Sequence, residues 1–125
     1  MATATQDTSR RETASLIGSD KVEGTAVYRS NGEKVGQIER VMIDKISGKV
    51  AYAVMSFGGF LGIGEDYYPL PWPVLTYNPR LEGYEVNVTE QQLKGAPHYG
   101  KYENWDWSDP ARGRSVYDYY GAARY

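Results

Sequence analysis

Residues 31–57 read NGEKVGQIERVMIDKISGKVAYAVMSF, and this stretch decides the fold of the chain. Two turn signals divide it into strands. The pair Asn31-Gly32 is the strongest short hairpin signal present, and because both residues tolerate a positive φ it predicts a type I′ turn. The segment 44–48 predicts a second turn, between a strand that ends at Ile43 and one that begins at Val50. The stretch therefore predicts two consecutive antiparallel hairpins.

The apolar residues of these strands indicate how each strand is covered. Residues 50–57 are apolar at both parities apart from Ser56, which is typical of a strand with both faces buried. Its small alanines would face a narrow barrel interior, and its larger residues a face covered by loops or by the C-terminal tail. In the preceding strand, Ile38 is out of phase with Val35 and Val41, which predicts either a β-bulge or a strand buried on both faces.

A proline-rich segment follows at residues 67–73. Proline has no amide hydrogen to donate to a ladder, so Pro69, Pro71 and Pro73 predict an edge strand or a barrel-closing segment. Further along, Tyr84 and two valines alternate with polar residues and predict a half-buried last strand.

A capping box predicts one short helix. Thr89 and Gln92 stand at the spacing at which each side chain bonds the other residue's backbone amide. Gly95 and Pro97 end the helix, which gives it the span 90–94. The chain is therefore expected to be mostly β: a small β-barrel of about five or six strands, with one short helix after the last strand.

At 125 residues the chain is expected to form one domain with two tails. Residues 1–14 lack apolar periodicity and are predicted to be disordered, and residues 15–95 form the barrel domain with its helix. Residues 96–125 form an extended tail with eight aromatic residues. Eight exposed rings would present on the order of 1,200–2,000 Å², the size of a protein–protein interface. The tail therefore either wraps its own barrel, docks on a second copy or another protein, or is disordered.

Composition excludes several classes of function. The net charge is −2, and without a basic excess nucleic-acid binding is not expected. No stretch reaches the ~20 apolar residues of a membrane span, and the N-terminal residues lack the apolar core of a secretory signal. The expected location is the cytoplasm. The absence of cysteine excludes disulfides and thiolate chemistry.

No catalytic or metal-binding motif is present. His98 is the single histidine and has no carboxylate at a motif spacing, so it is interpreted as a packing or surface residue. The glycine-rich run at 58–64 lacks the Lys-Ser/Thr of a phosphate loop and is interpreted as a connection or a partner contact. We therefore expect neither an enzyme nor a bound cofactor or metal.

The candidate contact residues are large apolar and aromatic side chains on the connection, the proline-rich strand and the tail. They are Phe57, Phe60, Leu61, Ile63, Tyr67, Tyr68, Trp72, Trp105 and Trp107.

The stretch from Leu16 to about Leu75 resembles the PRC-barrel domain. The resemblance is carried by the segments 32–38 and 41–44, the hairpin 47–54, the run 57–62 and the motif Pro69-Leu70-Pro71-Trp72. The family includes the cytoplasmic barrel of the photosynthetic reaction-centre H subunit, the C-terminal domain of a ribosome-maturation factor and stand-alone bacterial proteins, which this chain resembles most. The resemblance implies a docking or assembly module and transfers no catalytic residue.

These observations favour a non-enzymatic protein-interaction module that binds a protein partner and self-associates, with a dimer favoured. The alternative is an accessory protein of photosynthetic or quinone-linked electron transfer. It would bind a small ligand through Tyr67, Tyr68 and Trp72 near Glu65-Asp66, or contact a membrane complex peripherally.

Overall fold

The computed structural model describes residues 12–57, 66–100 and 103–123. Its seven strands are β1 (Ala26–Arg29), β2 (Lys34–Ile43), β3 (Val50–Phe57), β4 (Asp66–Pro71), β5 (Leu75–Asn78), β6 (Gly83–Val86) and β7 (Tyr99–Gly100). Its helices are α1 (Ser19–Val22), α2 (Glu90–Lys94) and α3 (Pro110–Tyr120), and a 3₁₀ turn spans Trp72–Val74.

All seven strands form one sheet in the order β5-β6-β1-β2-β3-β4-β7. Neighbouring strands are antiparallel except β1 and β6, which are parallel. The mostly β architecture is confirmed. Five or six strands were expected, whereas the structure has seven. Strand β7 was not predicted, because its two residues are too few to show an alternating pattern. Within the described residues, β5 and β7 form the two edges and do not pair to close the sheet.

Both predicted hairpins form, but the type I′ turn at Asn31-Gly32 is wrong. Gly32 has a φ of +88°, whereas Glu82 is the one non-glycine residue with a positive φ among those described. Instead, Gly32 donates its amide hydrogen to the Arg29 carbonyl at 2.9 Å, and the Asn31 side chain accepts from the Glu33 amide at 2.9 Å. The asparagine thus stabilises the turn through its side-chain oxygen rather than through a left-handed backbone.

The predicted bulge lies in the middle of β2. The pairing with β3 shifts between Ile38 and Arg40, which leaves Glu39 as the extra residue. Ile38 is fully buried, and Glu39 is half-buried. Because a bulge turns the chain locally, Glu39 and Arg40 reach the same side of the sheet, although neighbours in a regular strand face opposite sides.

Strand β3 is covered on both faces, as its sequence predicts. Ala53 and Met55 point into the inner core and are 0% exposed. Tyr52 and Val54 point to the other side, which we call the outer face. The buried inner core contains Val22, Val27, Ile38, Ala53, Met55, Tyr68, Leu70, Tyr84, Val86, Leu93 and Ala96.

Strand β4 behaves as an edge over most of its length. In the described part of the chain, β7 pairs only with its first two residues, Asp66 and Tyr67. Helix α3 packs against β4. The prolines of β4 suit this position because they donate no ladder hydrogen bond.

Helix α2 spans the predicted residues and has the predicted cap. The Thr89 hydroxyl accepts from the Gln92 amide at 3.0 Å, and the Gln92 side chain accepts from the Thr89 amide at 2.8 Å. The cap fixes a helix that buries Leu93 completely in the inner core.

The C-terminal segment is not extended throughout, because residues 110–120 form α3. The Asp109 side chain accepts from the Ala111 amide, Pro110 begins the helix, and Gly121 ends it with a φ of +66°. These are ordinary start and stop signals, which the aromatic composition of the segment obscured. Of the three alternatives, the described part of the tail follows the first: it packs on its own sheet.

Helix α3 lies across the edge of β4 and touches both sides of the sheet. Tyr117 is 1% exposed and donates to the Ala51 carbonyl at 2.6 Å, with its ring against Tyr52 of the outer face. Tyr120 packs against the inner core, and burial raises the pKa of its hydroxyl.

The N-terminal segment expected to be disordered falls mostly outside the described residues. Its last residues are ordered, however, because Glu12 forms a β-bridge with Ile17 and accepts a hydrogen bond from the Tyr77 hydroxyl at 2.8 Å.

Candidate interaction cleft

Six aromatic side chains form a continuous row on the outer face. They are Tyr67, Tyr99, Trp105, Trp107, Tyr52 and Tyr117, and the centroids of successive rings are 5.4–6.1 Å apart. Their interplanar angles range from 35° to 85°. The Tyr52–Tyr117 pair is edge to face and the other four pairs are tilted, so each ring of the row is held by contact with at least one neighbouring ring.

The sheet positions one end of the row. Tyr67 and Tyr99 stand opposite each other because β4 and β7 pair in that register, and their centroids are 5.5 Å apart. Burial raises the pKa of Tyr99, against the opposing effect of the nearby Arg40 guanidinium, so the phenol stays protonated at neutral pH.

The loop before α3 supplies the middle of the row. The Arg112 guanidinium lies 4.9 Å from the centroid of Trp105, a cation–π contact made by the first turns of the helix. In the same loop, the Ser108 hydroxyl and backbone amide donate to Asp106 and hold the pKa of that carboxyl below its usual value. These contacts fix the loop locally.

A glycine within α3 allows the helix to approach the other end of the row. A Cβ at Gly113 would lie 2.8 Å from the Tyr52 hydroxyl oxygen, closer than side chains normally pack. A glycine in a helix interior costs about 1 kcal/mol relative to alanine. The close packing of α3 against Tyr52 explains why glycine occupies this position.

The row borders a cleft of about 510 Å³. Its lining consists of Glu39, Arg40, Val54, Tyr67, Tyr99, Glu103, Asn104, Trp105 and Trp107. The lining is mixed, because four of its nine residues are charged or carry an amide and the other five are aromatic or aliphatic. The two carboxylates and the guanidinium lie beside the rings, so the cleft combines stacking surfaces with both signs of charge.

The structure brings together three of the nine candidate contact residues. Tyr67, Trp105 and Trp107 line the cleft. Phe57 and Tyr68 instead pack against each other at 5.4 Å in the inner core region.

Trp72 lies elsewhere, 5.3 Å from Tyr84. Phe60, Leu61 and Ile63 lie outside the described residues.

Several residues of the cleft were missed by sequence reasoning. Tyr99 was counted among the tail aromatics but was not selected, and Asn104 carries no local signal. The bulge was the available clue to Glu39 and Arg40, because a bulge redirects neighbouring side chains to one face.

His98 was interpreted as a packing or surface residue, and in the structure it is an exposed residue whose ring packs on a neighbour. Its ring stacks on Tyr68 with centroids 4.9 Å apart, and its Nδ1 lies 2.8 Å from the Ala96 carbonyl oxygen. The fold also places the Asp66 carboxylate 3.7 Å from Nε2, although the two residues are far apart in sequence.

A second cleft, of about 350 Å³, lies on the other side of the sheet near β5 and β6. Trp72, Tyr77 and Tyr84 line it together with the N-terminal turn. The hydrogen bond to Glu12 is the main cause that raises the pKa of Tyr77 to about 12. The small-ligand site expected from Tyr67, Tyr68 and Trp72 is thus divided among three separate locations.

Comparison with known protein families identifies the domain that the sheet belongs to. Residues 16–93, more than half of the chain, match the model of the PRC-barrel domain. The chain belongs to the PRC-barrel domain family. The PRC-barrel domain extends beyond Leu75, where the resemblance was expected to end, through β6 to Leu93 of α2. No curated protein matches the chain.

The first cleft lies across the boundary of the PRC-barrel match. Glu39, Arg40 and Tyr67 come from the matched domain, whereas Tyr99 and the two tryptophans come from the segment that follows it. No helix among the described residues is long and apolar enough to cross a membrane.

Proposed function

We propose that this PRC-barrel protein is a non-enzymatic interaction module that binds a protein partner through the cleft beside the aromatic row. The supporting observation is the cleft itself, in which half-buried Trp105 and Trp107 are held in place by contacts within the same chain. A surface that is ordered before binding loses less conformational entropy when its partner docks.

The residue types of the cleft favour a protein partner. Tryptophan, tyrosine and arginine are enriched among the residues that contribute most to protein–protein affinity. Trp105, Trp107 and Arg40 lie together in the cleft, with Glu39 and Glu103 beside them. Large rings bury much apolar area with few rotatable bonds, and the charged groups select the partner.

Site-specific photo-crosslinking in cells tests this proposal. A photoreactive amino acid replaces Asn104, which is exposed at the cleft, and in a matched control it replaces Thr76, which is exposed on β5. We expect a discrete protein adduct from position 104 and not from position 76. Identical adducts from both positions, or no adduct from position 104, would contradict the proposal.

We propose further that the protein is a cytoplasmic homodimer. The β2–β3 hairpin supports self-association because it exposes Ile43 at 50% and Ile46 at 99%. Light scattering should give twice the chain mass, and Ile46→Lys should lower it toward the monomer, whereas Lys45→Arg should not. A monomer mass for the unsubstituted protein at high concentration would refute the dimer, and cell fractionation tests the location.

The second cleft supports the alternative function, that of an accessory protein in photosynthetic or quinone-linked electron transfer. Its rings Trp72, Tyr77 and Tyr84 offer a stacking surface for a flat small molecule. A thermal-shift series with a quinone and a tetrapyrrole should raise the Tm if this cleft binds them, and Trp72→Ala should abolish the rise. No rise with any compound would remove this alternative.

A further inference from the structure

The rings of the first cleft favour an extended ligand. Tyr67, Tyr99, Trp105 and Trp107 make successive ring contacts, and each ring is tilted by 35–55° to the next. Because the rings are tilted, they offer no single flat wall on which a planar molecule could stack, but several ring faces that successive residues of a peptide can contact. Proline-rich segments in the polyproline II conformation dock into aromatic-lined grooves of this kind.

The sheet edge beside the cleft limits how a peptide could bind. Strand β7, whose Tyr99 lines the cleft, is an edge of the described sheet, but it is only two residues long, and α3 packs against β4. Because so short an edge offers few ladder hydrogen bonds, side chains would carry most of the recognition of a peptide in the cleft.

The polar groups of the cleft match the backbone of a polyproline II helix. This conformation makes no internal hydrogen bonds, and its proline residues offer carbonyl acceptors and no amide donors. Four residues that line the cleft carry side-chain hydrogen-bond donors: Trp105, Trp107, Asn104 and Arg40. The Arg40 guanidinium can therefore donate hydrogen bonds to such a ligand, although the cleft also contains carboxylates.

The carboxylates of the cleft indicate which type of residue flanks the prolines of the ligand. The Gly100 amide donates to Glu103 at 2.7 Å and so orients its carboxylate, and the bulge directs half-buried Glu39 to the same cleft. Two acidic groups beside a line of rings favour a lysine or arginine at the end of the bound segment.

We infer that the cleft, as the site of the proposed interaction function, binds a proline-rich polyproline II segment that carries a lysine or arginine beside its prolines. The rings hold the prolines, the donors bond the peptide carbonyls, and Glu39 and Glu103 pair with the basic residue.

Three labelled peptides of equal length test this inference by fluorescence anisotropy with the full chain. One is polyproline flanked by arginines, the second is polyproline flanked by glutamates, and the third is a glycine–serine chain flanked by arginines. We expect saturable binding of the first peptide and binding at least about 10-fold weaker for the second. The third peptide should not bind, because a flexible chain loses more entropy on binding.

Substitutions locate the binding site. Trp105→Ala and Trp107→Ala should each lower the affinity for the arginine-flanked peptide by about 10-fold or more. Trp72→Phe is the matched control, because Trp72 lies in the second cleft, and it should leave the affinity unchanged. Glu103→Lys changes charge without removing a ring, and it should remove the preference for arginine over glutamate flanks.

The outcomes separate this inference from the proposed function. If none of the peptides binds while position 104 still crosslinks to a protein, the inference is overturned and the interaction function stands. If the peptides bind equally well, or if Trp72→Phe weakens them as much as Trp105→Ala does, the inference is also overturned. If neither peptides nor crosslinks are obtained, both proposals fail.

Discussion

Different parts of the chain bury the two faces of β3. On the inner face, Ala53 and Met55 are covered mainly by side chains from the PRC-barrel domain, such as Ile38 and Leu70. On the outer face, Tyr52 meets rings supplied by the segment after that domain. The inner core packs closely, whereas the tilted rings outside leave a cleft of about 510 Å³. One strand thus faces the core of the domain on one side and the cleft on the other.

The comparison predicts the largest loss of stability for a truncation in the inner core. Leu70 is 0% exposed there, so Leu70→Ala should lower the free energy of unfolding by about 2–5 kcal/mol, through lost burial and the cavity left behind. Leu16→Ala is the same chemical change at a residue that is 71% exposed, and it should cost less than about 0.5 kcal/mol. Urea unfolding measures both, and similar losses would show that the inner face does not dominate stability.

A smaller effect is expected where α3 is fastened to the outer face. Tyr117→Phe removes the buried hydrogen bond to the Ala51 carbonyl and should cost about 1–2 kcal/mol. Tyr119→Phe removes a hydrogen bond of the same length to the Gln92 carbonyl, but Tyr119 is 44% exposed and water replaces its partner. Thermal melts should separate the two variants, and equal Tm values would mean that Tyr117 does not anchor the outer face.

The cap of α2 tests a local contribution to the inner face. Thr89→Ala should lower the free energy of unfolding by about 1 kcal/mol, because the Gln92 amide loses its acceptor at the start of the helix that buries Leu93. Thr89→Ser keeps the hydroxyl and should restore most of the loss in the same urea experiment. An unchanged midpoint for Thr89→Ala would show that packing alone holds α2.

The smallest effect on stability is expected at the turn of the β2–β3 hairpin, which covers neither face of β3. The Ser47 and Ile46 amides hold the pKa of Asp44 below its ordinary value of 3.8. A lowered pKa in the folded state stabilises the fold above pH 3.8, and this contribution is lost as the pH falls through the lower value. The stability advantage over Asp44→Asn should therefore be present at pH 7 and shrink in acid. An advantage that grows on acidification would contradict this assignment.

Local signals were sufficient for much of the PRC-barrel domain. The two hairpins, the double burial of β3 and the capping box of α2 follow from short patterns, and the structure confirms each of them. The phase change at Ile38 left two alternatives open, a bulge or a strand buried on both faces, and the structure shows the bulge. The type of the first turn was wrong because Asn31 acts through its side chain, a choice that the dipeptide alone does not reveal.

The cleft depended on contacts that short patterns cannot encode. Trp105 and Trp107 were selected as contact residues on composition, but their neighbours Glu39 and Tyr67 are distant in sequence and reach the cleft only through the bulge and the β4–β7 pairing. In the same way, Tyr68 and Trp72 were grouped with Tyr67 by proximity in sequence, whereas strand alternation and the 3₁₀ turn send the three side chains to different places.

By itself, the sequence determined the two hairpins, the short helix α2 and the family of this protein, because these depend on residue types within a few positions of one another. Only the tertiary structure decided that the C-terminal rings lie on the outer face of β3 and enclose a cleft with Glu39 and Arg40. Burying a ring gains a similar free energy on any apolar surface, so composition predicts that the rings are buried and packing decides where.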